Sequence, residues 1–214
     1  MKFPYGADED AAYIIAWLEL NNFKGISILN HLIKIIDNKY NGVINLKDIK
    51  EVIDFKKQSI LMKGSGLIDY LQSTISESNK KISINIKNCN NGILFLPLLY
   101  KLKQYIQFSE LSFSDIENQV NKFQVIDDKI LYNVEDKQIP KNQVKIILSN
   151  TKLNEKNNLF KKIITKNIIQ KNLSRSLSPN KQHWETISNI ANRTFVPESE
   201  ESRKRGAGGG DAND

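Results

Sequence analysis

The spacing of apolar residues changes part-way along the chain, and an all-helical or all-strand fold cannot accommodate that change. From Ala7 to Leu20, residues Ala11, Ile14, Ile15 and Leu18 recur at the helical period, and Tyr13, Trp17 and Leu20 add a second apolar strip. Asp8, Glu9 and Asp10 fall in the first turn, where the positive end of the helix dipole favours them. Apolar residues on two sides predict a buried helix. A second helix is expected from near Ser27 to about Asp37, with Leu29, Leu32, Ile33 and Ile36 on one face. His31 lies off that stripe and reads as a partly exposed or locally bonded side chain. Helical patterns also cover Leu46 to Phe55, Leu67 to Ile75 and Leu96 to Ile106.

The period then becomes two. Ile82, Ile84 and Ile86 alternate with Ser83, Asn85 and Lys87, as a half-buried strand requires, and Asn88 to Gly92 is a turn cluster. Phe123 to Ile126 and Ile130 to Val134 flank Asp127-Asp128-Lys129 as a hairpin, and Val144 to Leu148 is a further strand. Leu159 to Leu173 fits strand by its β-branched content and helix by its length. Ser178-Pro179 marks the start of a last helix, on which Trp184, Ile187 and Ala191 share a face. The expected fold class is α+β: N-terminal helices followed by a mostly antiparallel sheet with packed helices. Residues 1–192 form one domain in this reading, and 193–214 form an extended Arg/Glu/Gly-rich segment.

Composition narrows the function classes. A single cysteine, Cys89, excludes an intramolecular disulfide framework and a cysteine-based zinc site. No apolar run approaches the ~18 residues of a membrane span, and Met1 to Gly6 carries no hydrophobic signal region, so a cytoplasmic protein is expected. The net charge of +7 comes from 27 Lys and four Arg against 24 Asp plus Glu. With 30 Ile and 25 Asn beside that Lys, the composition matches AT-rich codon usage. The densest patch, Lys156, Lys161, Lys162, Lys166 and Lys171, alternates with Leu159, Phe160, Ile163, Ile164, Ile168 and Ile169. Scattered Lys makes a solvated surface, whereas base and phosphate recognition favours Arg, so nucleic-acid binding is disfavoured.

Two motifs imitate ligand sites. Asp37 to Asp48 resembles an EF-hand calcium loop at its first, fifth, sixth, eighth, ninth and twelfth positions. Lys39, however, replaces a ligand oxygen with a cation, Asp48 is shorter than the usual bidentate Glu, and no second loop follows. A helix connection containing Asn41-Gly42 accounts for the same residues. Lys63-Gly64-Ser65-Gly66 offers a glycine turn ahead of a helix at Leu67, but without the phosphate-loop spacing it reads as a helix-start turn. No metal ligand set and no cofactor motif is present in the sequence.

The C-terminal segment differs from the rest. Three of the four arginines, Arg193, Arg203 and Arg205, lie in it, where a planar fork suits bidentate contact with carboxylate or phosphate. Gly206 to Gly210 permits close backbone approach to an anion. By composition alone, a charged, Gly-rich terminus of this kind is more often a solvated tail. Arg193-Thr194-Phe195-Val196-Pro197, Ser199-Glu200, Ser202-Arg203 and Gly206-Ala207-Gly208, together with Pro4-Tyr5-Gly6-Ala7, Ala11 and Trp17-Leu18, resemble the two ends of a bacterial domain-of-unknown-function family, family 3726. Members carry more residues before the Pro-x-Gly turn, and a longer Gly-Ala-Gly-rich terminus, than this chain does. The resemblance implies that the tail is a family feature and brings no activity with it.

Two functions follow as expectations. In the first, the chain is an enzyme or enzyme subunit that binds a small anionic carboxylate or phosphate metabolite through its tail. Arg193, Ser199, Ser202, Arg203, Gly206 and Gly208 would hold the anion, and Glu198 or Glu200 would serve as acid/base. His183 lies a few turns upstream and could reach that site, though it reads more simply as a helix-surface residue. In the second, a binding or assembly protein docks its tail on a partner subunit, a homo-oligomer being one form of this.

Overall fold

The computed structural model describes residues 3–37, 39–44, 52–78, 81–114, 117–135, 143–153 and 160–194. Helix α1 spans Ala7–Leu20 and α2 Gly25–Ile36, followed by strand β1 (Val52–Asp54) and helix α3 (Ile60–Ser78). Strand β2 (Ile82–Lys87) leads through a 3-10 turn (Gly92–Phe95) into α4 (Leu96–Leu102). Four strands follow: β3 (Phe108–Ser114), β4 (Val120–Ile126), β5 (Lys129–Glu135) and β6 (Gln143–Ser149). Strand β7 (Lys162–Thr165) runs into α5 (Lys166–Leu173), and α6 (Lys181–Ala191) ends in a 3-10 turn (Asn192–Thr194).

The seven strands form one sheet in the order β1-β2-β6-β3-β4-β5-β7, antiparallel at every pairing except β1 with β2. The α+β expectation holds. Register explains which residues meet the helices. Ile84 pairs with Ile146, Leu111 with both Ile146 and Phe123, and Ile130 with Val125 and Ile164. Because side chains alternate between faces, these partners share the face that carries the main core. Helix α1 supplies Ile14, Ile15, Trp17 and Leu18, and α3 supplies Leu67, Leu71 and Ile75. Trp17, Phe23, Phe123 and Tyr132 join that layer to the sheet through stacked and edge-on rings. On the opposite face Gln124, fully buried, donates to Glu110 Oε2 at 2.8 Å, and Lys122 pairs with the same oxygen at 3.1 Å.

Several local expectations are corrected. The glycine turn at Lys63 to Gly66 lies inside α3, which begins at Ile60, where the Ser59 hydroxyl accepts from the Leu61 N–H at 3.2 Å. Gly64 marks a close approach: a Cβ there would sit 2.8 Å from Ile60 Cγ2 and 3.2 Å from Leu98 Cδ1 on α4. Val52 to Phe55 is not helical. Ile53 and Phe55 are buried between exposed neighbours, and β1 pairs with β2. The remainder of that expected helix, residues 46–51, lies outside the described residues. Helix α4 is shorter than the pattern suggested, ending at Leu102. The ambiguous stretch is both structures in turn, β7 then α5, with the Thr165 hydroxyl accepting from Ile168 N–H to start the helix. Helix α6 starts at Lys181, capped by Asn180 Oδ1 rather than by Ser178.

Candidate functional site

Of the residues expected to form a tail site, Arg193 is described. Its Nη1 donates to Asp37 Oδ2 at 3.0 Å, which joins the end of α6 to the end of α2. Glu198, Ser199, Glu200, Ser202, Arg203, Gly206 and Gly208 lie outside the described residues. Asp37, first position of the calcium-loop look-alike, therefore has a guanidinium partner, while 38 and 45–48 lie outside the described residues.

Helix α6 is a surface element. None of its side chains is buried; Ile187 packs partly against the core, and Trp184 is 50% exposed. Polar contacts to α2 complete its docking. His183 Nδ1 lies 3.0 Å from the Ser27 hydroxyl, and the two histidine rings meet at 5.8 Å and 77°. His31 Nδ1 donates to the Ser27 carbonyl at 2.7 Å, so His31 is exposed and locally bonded, as its sequence position implied.

Residues 160–194 concentrate the charge. Lys161, Lys162, Lys166, Lys171, Arg175, Lys181 and Arg193 stand against Glu185 alone, seven cations to one carboxylate, a net +6 of the chain's +7. The same stretch exposes Ile163, Ile168, Leu173, Leu177 and Trp184. Strand β7 is also a sheet edge, where backbone groups on one side have no strand partner among the described residues. The sequence showed part of this as a Lys-rich patch between apolar residues. It could not show that Ile163 and Ile168 point outward while Ile164 and Ile169 are buried, because that depends on which face β7 and α5 turn to the sheet.

Two cavities elsewhere among the described residues carry charged side chains. One, of about 570 Å³, is lined by Lys103, Gln107, Asp127, Asp128 and Lys152. Its charges are mutually paired, Lys103 with Asp128 and Lys152 with Asp127 at 2.6 Å, and the Lys103 hydrogen bond holds the Asp128 carboxyl below the usual carboxylate range. The second, of about 240 Å³, lies between α1, α3 and α4 beside Asp10, Asp69 and Lys101. Partial burial, and then the neighbouring Asp10, push the Asp69 carboxyl up, against Lys101. Cys89 is a buried thiol pushed up to about 12 by burial, far from the thiolate a nucleophile needs. Among the described residues no group of three or more His, Cys, Asp or Glu is placed to hold a metal, and no helix is long and apolar enough to cross a membrane.

Compared with known proteins, the chain matches no family model, no curated protein and no solved structure.

Proposed function

We propose that this is a binding or assembly protein whose C-terminal part, residues 160–194 with the segment that follows, docks on a partner protein presenting acidic side chains around an apolar groove. One observation carries the reading: a net +6 and five exposed large apolar side chains occur together in 35 residues. Clustered apolar exposure marks interaction surfaces, and charge complementarity steers and orients the encounter. Nucleic-acid interfaces are polar and rich in Arg forks, whereas here Lys is interleaved with Ile, Leu and Trp. The competing reading, a small anion held by the tail, has less support, because the guanidinium of Arg193 already faces Asp37.

The test places a photo-crosslinking residue at position 184, with position 52 on the opposite sheet edge as control, in cells that make the protein. The captured protein is then purified and the complex rebuilt. Docking predicts an adduct specific to 184, whose complex weakens with salt and is lost on Trp184→Ala combined with Leu177→Ser. Adducts to RNA or lipid, or none above the control, overturn it. A carboxylate or phosphate that raises the melting midpoint of the full chain, but not of a chain ending at Pro197, would favour the ligand reading instead.

A further inference from the structure

We propose that Ser178, in the connector between α5 and α6, is a phosphorylation site, and that a phosphate there weakens the docking of residues 160–194. By sequence Ser178-Pro179 marks the start of a helix, but the structure gives the capping role to Asn180, whose Oδ1 accepts from the His183 N–H at 3.0 Å. Ser178 is left without a part in the fold: it is exposed, and its hydroxyl has no hydrogen bond among the described residues. Ser174, earlier in the same connector, instead donates to the Lys171 carbonyl at 2.8 Å.

Phosphoryl transfer is mostly positioning, so an acceptor hydroxyl must reach the nucleotide free of helix or strand pairing. Residues 176–180 carry no helix, strand or turn, between Leu173 at the end of α5 and Lys181 at the start of α6. Among the described serines and threonines, only Ser176 and Ser178 are exposed, outside helix and strand, and without a hydrogen bond. Two neighbours single out Ser178. Pro179 follows it, with φ fixed and no N–H for a kinase cleft to pair. Arg175 stands three residues before it, exposed, with Nη1 bonded to Asn172 Oδ1. Kinases select substrates by the charge pattern around the acceptor, and Ser176 has Leu173 and Leu177 in the equivalent places.

In the transfer, Ser178 Oγ attacks the γ-phosphorus of a nucleoside triphosphate and the bond to the bridging oxygen breaks. The diphosphate leaves, and the hydroxyl proton passes to the base of the kinase. The product carries about −1.5 to −2 charge. It stands ahead of α6, whose first turn begins with Lys181 and has no acidic residue, so the positive helix end and that ammonium favour it. The net +6 of residues 160–194 falls to about +4, at a point between the half-exposed Leu177 and Trp184. An acidic partner is then attracted less. This consequence rests on the docking reading; the modification itself does not.

The test isolates the full chain from the cells that make it, with phosphatases inhibited, and locates phosphate by mass spectrometry of the intact chain and its peptides. A phosphate on Ser178 is expected. A Ser178→Ala chain from the same cells should lack it and keep the parent melting midpoint, because the hydroxyl bonds to nothing in the fold. An unmodified Ser178, or phosphate confined to other residues, overturns the site. In a second measurement, the purified full chain treated with a proline-directed serine kinase and ATP is compared with the untreated chain in the rebuilt complex. Binding about tenfold weaker is expected, and equal binding overturns the regulatory role. Phosphate on Ser178 with no captured partner would sink the docking reading and the regulation with it, and leave the modification site standing.

Discussion

Asn172 on α5 donates from Nδ2 to Oδ1 of Asn21 at the end of α1, a 3.0 Å contact between two buried amides 151 positions apart. Asn21 in turn donates to the Trp17 carbonyl at 2.9 Å, and Arg175 Nη1 donates to Asn172 Oδ1 at 3.2 Å. This chain of donors fixes the helix that follows the edge strand against the first helix of the fold. Asn172→Ala leaves the Asn21 oxygen buried without its donor and should destabilise by ~1–3 kcal/mol. The double variant with Asn21→Ala should lose less than the sum of the singles, because the second change removes the orphaned group. Urea titration of the four proteins measures this, and strict additivity would sink the coupling.

Two glycine substitutions should move stability in opposite directions. A Cβ at Gly25 would lie 2.2 Å from the Ile15 carbonyl oxygen, which is backbone and cannot swing away, where α2 crosses α1. Gly25→Ala should therefore destabilise at the upper end of the ~1–3 kcal/mol typical of overpacking, or beyond it. A Cβ at Gly66, inside α3, meets nothing within 4 Å. Gly66→Ala should stabilise by ~0.5–1 kcal/mol, since alanine loses less backbone entropy in a helix. Equal effects in one direction would refute the close approach at Gly25.

Alkaline pH should unfold the protein through one buried and one half-buried group. Burial raises the Cys89 thiol from 9.0 to about 12 and the Tyr13 phenol from 10.0 to about 12. Both are neutral acids whose raised folded values make the unfolded state release protons first. Their stabilising contribution is fully present below the unfolded values and is lost as pH climbs from 9 toward 12. Denaturation midpoints across that range should fall, and a thiol reagent should label Cys89 only as fast as the chain opens. Rapid labelling of the folded protein at pH 8 would contradict the burial.

Substitutions on the proposed docking surface should leave the isolated chain unchanged in stability. Trp184 and Leu177 are about half exposed, so Trp184→Ala and Leu177→Ser should each shift stability by less than ~0.5 kcal/mol. A larger loss by chemical denaturation would mean that these side chains hold the fold together and are not free for a partner.

Much of the local structure could be read from the chain. The helical recurrence of Ala11, Ile14, Ile15 and Leu18 delimits α1 at the bounds the structure shows, and the hairpin around Asp127-Asp128 pairs Ile126 with Lys129 as its turn requires. In both cases each residue's partners lie within a few positions. The misreadings share a cause. At Gly64 the local pattern suggested a turn, but contact with Leu98 on another helix needs a small residue in mid-helix. At Val52 to Phe55 the two alternating buried residues were too few to outweigh a helical reading until β2 supplied the pairing.

The candidate site divides the same way. The sequence alone determined the fold class, the Lys-rich stretch and the distinct character of the tail, because composition and periodicity are carried by neighbours along the chain. Only the tertiary structure decided that His31 and His183 meet over Ser27, that Arg193 faces Asp37, and that Ile163, Ile168, Leu173, Leu177 and Trp184 point outward. Those facts follow from how α5 and α6 pack on α1 and α2, contacts across about 150 residues that no local pattern encodes.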